Sequence, residues 1–475
     1  MRVLLVAALA AAACHPPAPA GRRIEALFAD LHHRGLFDGA VVVARGGDVL
    51  VARGYGLANA ERRLAFTPDT AADGASLAKT FTAAVVLQMA AERRLDLDEP
   101  LRRRLLPELP YPDITLRHLL SHSSGLPASY GFFDPYLPAG TVRTTEDLLG
   151  VLAAHPTPLR FPPGTRFEYS SFGYDLAALA AARAAGTTVA ALFRARLFAP
   201  LGLRSAFLRP GRFADWPAVR TRGYRRVNGR LEPHDVFDLE AFHGGSNVYV
   251  SARDLSRWNR SFVERSLLRP AALAVGLRTA RISGRPSGLT LLSWYRSDDA
   301  TAFWYCGHLE GFHDLVFRDL AADLSIVYVS NNTLAPWLHQ AIVRAVRDLI
   351  AGRTPERLLV PAMSGIAGSD PTGRWLLENG QIFEIERGGE ALRVVPASGI
   401  AYSLFPEDRT SWYAPGLDLV VGVKRDARGA VTRLRVSTNL GVWWGRRIDQ
   451  RRRRNTMAPA AASTTMPPRM PNSPT

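Results

Sequence analysis

Gly74-Ala75-Ser76-Leu77-Ala78-Lys79-Thr80-Phe81 is the stretch on which the reading of this chain turns. Apolar residues recur with helical period through Phe81, Val85 and Met89, which predicts a long helix from about Ser76 to Arg94. Ser76 and Lys79 stand one turn apart and so share a helix face. The positive potential of a helix N-terminus favours an anion developing on the serine oxygen. A buried lysine loses its proton more readily than a free one and can then accept the serine proton. The pair reads as a nucleophile and its base. Alone, S-x-x-K is a weak signal, because a serine N-cap followed by a solvent-facing lysine has the same spelling.

Composition strengthens it. The chain holds 59 cationic residues, and only Lys79 and Lys424 among them are lysines. Such a skew reflects a nucleotide composition that turns lysine into arginine wherever the protein tolerates it. Arginine stays charged and cannot act as a base, so a lysine that remains marks a place where an amine is needed. At 475 residues the chain has room for two or three domains, and 47% apolar content is enough for a large core. The net charge of +16 is concentrated at one end by Arg446, Arg447 and Arg451 to Arg454. The rest is scattered, without an aromatic-interleaved basic stripe. That argues against nucleic acid as a partner and leaves weak attraction to anionic surfaces.

Arg2, the apolar run Val3 to Ala13 and the proline-rich His15 to Gly21 read as an export leader over residues 1–20. Ala11-Ala12-Ala13-Cys14 resembles a bacterial lipoprotein cleavage box, with alanine at position 11 where leucine is usual. The expectation is an exported protein, periplasmic or held at a membrane by lipid on Cys14. An ordinary secretory signal is the alternative. No later segment reaches transmembrane length without a charge, so the mature body is expected to be soluble. Cys306 is the one other cysteine, which excludes a disulfide framework.

Along the chain, helices are expected at Arg22 to Phe37, Leu116 to Ser121, Thr145 to Ala154, Tyr174 to Ala185, Val189 to Phe198, Asp254 to Val263 and Pro336 to Ala351. In the first, Ile24, Leu27, Phe28 and Leu31 share a face. Strands are expected at Gly39 to Ala44 and Leu50 to Gly56 around a Gly46-Gly47-Asp48 turn. Others follow at Leu289 to Tyr295, Ala302 to Cys306, Asp314 to Arg318 and Leu324 to Val329. Tyr224 to Leu231 reads as a hairpin around Asn228-Gly229. The fold class is α+β: a helical region packed on an antiparallel sheet that both ends of the domain (22–352) complete. A linker (353–371) leads to a region of short strands (372–449), six of which are legible. There Leu417, Leu419, Val421 and Val423 alternate to one face, as in a small all-β barrel or sandwich. Residues 450–475 read as a disordered tail.

Ala75-Ser76-Leu77-Ala78-Lys79-Thr80-Phe81-Thr82 resembles the first motif of the serine β-lactamase-related family, which includes class C β-lactamases, penicillin-binding proteins, D-aminopeptidases and esterases. Ile114 to Pro127 (ITLRHLLSHSSGLP), Pro163 to Tyr174 (PGTRFEYSSFGY) and Gly244 to Tyr249 (GGSNVY) resemble later stretches of that family, in the right order. The strand-rich region resembles the lipocalin-like domain often attached to these enzymes. The resemblance implies a β-lactamase/transpeptidase-like fold with Ser76 as the acylated nucleophile, Lys79 as its activating amine and Tyr169 as the tyrosine that moves protons to the leaving group or activates water.

Two departures follow. Ser171 stands where the second motif, Tyr-x-Asn, has asparagine. Counting back from Gly311-Phe312 places Tyr305-Cys306-Gly307 on the third motif, usually Lys-Thr-Gly or His-x-Gly, so a phenol replaces the cation. The backbone N–H of His308 then joins that of Ser76 as an oxyanion hole. A rival register sets His308 on the cation but puts Glu310 where a close-approach glycine belongs.

Other residues receive plainer readings. His118 and His122 cap and pack the short helix. His32, His33 and His313 are surface or supporting residues, and Cys306 is a buried strand residue. No metal-ligand spacing and no phosphate-cradling glycine loop appear, so no metal or cofactor is expected. The leading function is a serine hydrolase acting through an acyl-enzyme on ester, amide or D-amino-acid peptide bonds of a small molecule or short peptide. Loss of the cation argues for esterase or peptidase action ahead of efficient β-lactamase action. The competing reading is a non-catalytic binder of peptidoglycan or penicillin on the same scaffold.

Overall fold

Residues 39–55 form a hairpin whose first strand, Gly39–Arg45, pairs not only with its neighbour Asp48–Tyr55 but with Leu324–Ser330 from the far end of the domain. The register runs from Gly39 opposite Ser330 to Arg45 opposite Leu324. This computed structural model describes residues 19–355 and 371–448, apart from 128–129, 131–132, 139, 218–219, 228–229, 298, 333–336, 379–380, 389–390, 396–401, 407–410, 415–418 and 439–440. The leader with Cys14, the Asn228-Gly229 turn, most of the linker and the tail lie outside the described residues.

The sheet has eight strands. In order they are Thr279–Ile282, Arg285–Thr290, Tyr295–Arg296, Ala302–Leu309, Phe312–Asp319, Leu324–Ser330, Gly39–Arg45 and Asp48–Tyr55. Both faces are covered. Helix α1 (Ala20–His33) lays Ile24, Phe28 and Leu31 on one of them, together with the closing helix Trp337–Ile350, over Val41, Val43, Leu315 and Ile326. The other face carries the helical region. Its centre is α2 (Ala78–Ala91), in which eleven residues from Ala78 to Met89 are buried. A helix without a polar face is stable only when surrounded, and α2 packs within the largest apolar cluster.

α3 (Leu116–Leu120), α4 (Thr145–Ala154) and α5 (Ser171–Ala185) follow in that region. Val189–Phe193 continues into a π-helical turn, Arg194–Phe198. The single strand expected over 289–295 is instead two short strands separated at residues 291–294. There Ser293 takes a left-handed φ of +63°, and its backbone N–H bonds Thr290, which closes a turn.

Residues 373–448 form a closed antiparallel barrel of eight strands in chain order, sealed by pairing of Gly373–Leu377 with Gly441–Ile448. Trp375, Ile385, Val394, Trp412, Val421 and Leu434 fill its interior. Among the described residues no single helix is long and apolar enough to cross a membrane.

Candidate active site

The strand Ala71–Asp73 pairs with Val248–Ser251 and must turn sharply to enter α2. The turn is held by Asp73, which is fully buried and accepts from the Ala75 N–H at 2.8 Å. Burial, opposed by the Arg209 charge, lifts the Asp73 carboxyl to about 6. Ala75 sits at φ +45°, a left-handed conformation that costs an L-residue about 1–3 kcal/mol. Residues 75–77 therefore form a 3₁₀ turn, and the α-helix starts at Ala78 rather than at Ser76. The kink leaves Ser76 partly exposed at the head of an otherwise buried segment.

Lys79, in the first turn of α2, has no exposed surface. Its Nζ donates to Ser76 Oγ at 3.2 Å, to Ser171 Oγ at 3.0 Å and to the Gly245 carbonyl at 2.5 Å. Three acceptors match the three N–H bonds of an ammonium. Ser171 thus supplies the lysine with a polar partner.

Tyr169 Oη lies 2.9 Å from Ser76 Oγ and 3.2 Å from Tyr305 Oη. Burial alone would raise this phenol. The Lys79 charge, whose nitrogen lies 4.8 Å from the ring centroid, and hydrogen bonding with neighbours that include Ser76 and Tyr305 outweigh it and hold Tyr169 below its ordinary 10. Tyr305 moves the other way. Burial, with the neighbouring Tyr169 and Tyr295 rings, pushes it well above 10. In the contact between the two phenols either oxygen can donate.

Gly307 lies on the strand Ala302–Leu309, where a Cβ would fall 2.4 Å from the Gly74 carbonyl oxygen. Only glycine lets that strand lie against the turn that carries Ser76. The close approach thus falls at Gly307 and the phenol contact at Tyr305, two positions before it. His308 follows on the same strand with its ring exposed and packed edge-on against His313.

Several participants carried no role in the sequence reading. Gly245 accepts from Lys79 through its carbonyl and donates its N–H to Asp175 at 2.7 Å. Asp175, on α5, also accepts from Tyr130 at 2.5 Å, and burial raises its carboxyl to about 6 against those bonds. The GGSNVY stretch pointed to this region but not to its contacts. His118 caps α3 in a box with Thr115, as expected. His313 is a core residue and not a surface one: it is 1% exposed, on a strand buried on both faces, and neither ring nitrogen has a partner among the described residues. Cys306 is half-buried rather than buried and packs on the sheet face away from Ser76, beside Trp304. Among the described residues no group of three or more His, Cys, Asp or Glu is arranged to hold a metal.

The arrangement sets the Ser76 hydroxyl between a phenol and an amine. Comparison with known proteins agrees with it. The Beta-lactamase family model matches residues 24–349. Esterase EstB of Burkholderia gladioli is 30% identical over 384 residues, covering 70% of this chain and 95% of its own. A D-aminopeptidase of Gluconobacter oxydans (strain 621H) is 32% identical over 382 residues, 78% of this chain and 67% of its own. In fold, the octameric penicillin-binding protein homologue from Pyrococcus abyssi superimposes with a TM-score of 0.62 at 19% identity, over 89% of this chain and 99% of its own. None of these matches names the barrel as lipocalin-like.

Proposed function

The chain belongs to the beta-lactamase family, and from that premise we propose that it is a serine hydrolase that cleaves neutral ester, amide or D-amino-acid peptide bonds through an acyl-enzyme on Ser76. The observation that carries the proposal is the convergence of Tyr169 Oη and Lys79 Nζ on Ser76 Oγ, at 2.9 and 3.2 Å. Both are within proton-transfer reach. The shorter contact and the lowered phenol favour Tyr169 as the acceptor, with Lys79 as the charge that sustains its phenolate.

In the first half-reaction Ser76 Oγ attacks the substrate carbonyl and its proton passes to Tyr169. The oxyanion is stabilised by the backbone N–H groups of Ser76 and His308. Tyr169 then protonates the leaving alkoxide or amine, and the acyl group stays on Ser76. In the second half-reaction Tyr169 takes a proton from water, the hydroxyl attacks the acyl carbonyl, and Ser76 leaves with that proton.

Tyr305 occupies the place where the family carries a cation for a substrate carboxylate. A phenol cannot pair with a carboxylate as an ammonium does, which favours neutral substrates. Relatives whose names read esterase and D-aminopeptidase support this direction. Export, with lipid on Cys14, remains part of the proposal. The test of substrate class is turnover of p-nitrophenyl esters against nitrocefin by the full chain. Faster ester turnover is expected, and much faster nitrocefin turnover contradicts the proposal.

A further inference from the structure

His122 grips the segment around Tyr169 at three points. Its carbonyl accepts from the Glu168 N–H at 2.8 Å, on one side of Tyr169. Its Nδ1 accepts from the Ser170 N–H at 3.0 Å, on the other. Its ring stacks on the Tyr169 ring itself, with centroids 4.5 Å apart and planes 19° from parallel. The residue is 1% exposed and takes a left-handed φ of +54°, a conformation held by its surroundings. Since Nδ1 accepts, the ring proton sits on Nε2, which has no partner among the described residues.

The groups facing the ring are Lys79 from α2, Tyr169 itself, Tyr174 from α5 at 4.9 Å and the apolar Phe167 at 5.5 Å. Burial first, and then the Lys79 charge, hold the imidazole well below its ordinary 6.5. The uncharged ring fits its contacts. A protonated ring would turn Nδ1 into a donor facing the Ser170 N–H and add a second cation beside Lys79.

We infer that His122 is a positioning residue for the proposed reaction, fixing the height and angle at which Tyr169 meets Ser76. The inference rests on the acyl-enzyme reading above. It predicts that removing either the stack or the acceptor displaces the phenolic oxygen without touching substrate, and displacements of that kind slow reaction by up to about a hundredfold.

The test uses the full chain with His122→Asn, which keeps an acceptor for Ser170 and loses the stack, and His122→Phe, which keeps the stack and loses the acceptor. The readouts are the titre of fluorophosphonate-reactive sites, the labelling rate per reactive site from pH 5 to 9, and kcat and KM on p-nitrophenyl acetate. The expected result is a full titre, a ten- to hundredfold slower rate in His122→Asn, a smaller loss in His122→Phe, a KM within about threefold, and an ascending pH limb moved upward. Rates per reactive site within threefold of the parent in both variants overturn the inference. So does a loss explained by a fallen titre with an unmoved limb. If His122→Asn fails to fold, His122→Phe decides alone, and its failure to fold marks a core role and overturns the inference as well. A parent that takes no label overturns the hydrolase reading itself. A parent and variants that label alike overturn only this inference.

Discussion

Lys79 makes all three of its hydrogen bonds to the site and exposes nothing to solvent. A guanidinium in its place is longer and planar, so it can neither fit the same three acceptors nor set a compact charge beside the Tyr169 ring as the ammonium does. Lys79→Arg is expected to slow acylation of Ser76 by at least a hundredfold, measured as the burst rate on a p-nitrophenyl ester. A burst within tenfold of the parent would show that the amine is dispensable. This residue was legible because lysine is nearly absent from the chain, and Ser76 and Tyr169 were legible through the motifs around them. His122 and Ala75 were not. The stack of His122 on Tyr169 joins residues 47 positions apart, and the left-handed φ of Ala75 follows from a strand-to-helix turn that Asp73 ties down. Of the two readings open for His313, surface or supporting, burial of its strand on both faces removes the first.

At the scale of elements, the strand Ala302–Leu309 and the turn bearing Ser76 meet at Gly307 and Gly74. A methyl at Gly307 must push the strand away from backbone, not from a yielding side chain. Gly307→Ala is expected to destabilise the domain by about 1–3 kcal/mol in chemical denaturation and to abolish acylation. Wild-type labelling by Gly307→Ala would mean the strand does not border the reacting group. The pairing of Gly39–Arg45 with the last strand of the domain was readable in outline, because strands and helices at both ends needed a common sheet. The same alternation of Leu419 and Val421 that suggested a barrel is seen as burial in its wall. The strands Ser411–Ala414 and Gly441–Ile448 went unseen. The latter opens with glycine, has another at Gly445, and carries two arginines just before its final Ile448, so it is extended by its neighbours on both sides rather than by its own pattern. The helix Pro270–Gly276 did carry a signal, a proline at its first position.

The whole molecule buries ionisable groups of both signs, and their titrations oppose one another. Burial, reinforced by His308, lowers His339 to about 3, and His122 and His313 also lie well below 6.5. A histidine lowered in the fold contributes stability that is present above 6.5 and is lost as pH falls. Burial raises Asp73 and Asp175 to about 6 and Asp314 well above its ordinary value. Those carboxyls contribute stability that is full below about 4 and is lost as pH rises. Between pH 6.5 and 4 the two sets offset each other. Below about 4 the carboxyls are protonated folded or unfolded, and the loss from the histidines is unopposed. Thermal midpoints should therefore be level from pH 7 to 5 and fall steeply below 4. His339→Gln, which cannot titrate, should gain on the parent by roughly 1 kcal/mol per pH unit below 6.5. An unchanged difference between the two proteins across that range would show that His339 is not held neutral by the fold.

All of these expectations depend on Ser76 being the oxygen that is acylated. Intact-protein and peptide mass spectrometry after exposure to a fluorophosphonate locates the modified atom directly. One adduct per chain, mapped to Ser76 and missing from folded Ser76→Ala, is the result this account predicts. A folded chain that takes no adduct between pH 6 and 9, or takes it on another residue, would contradict it.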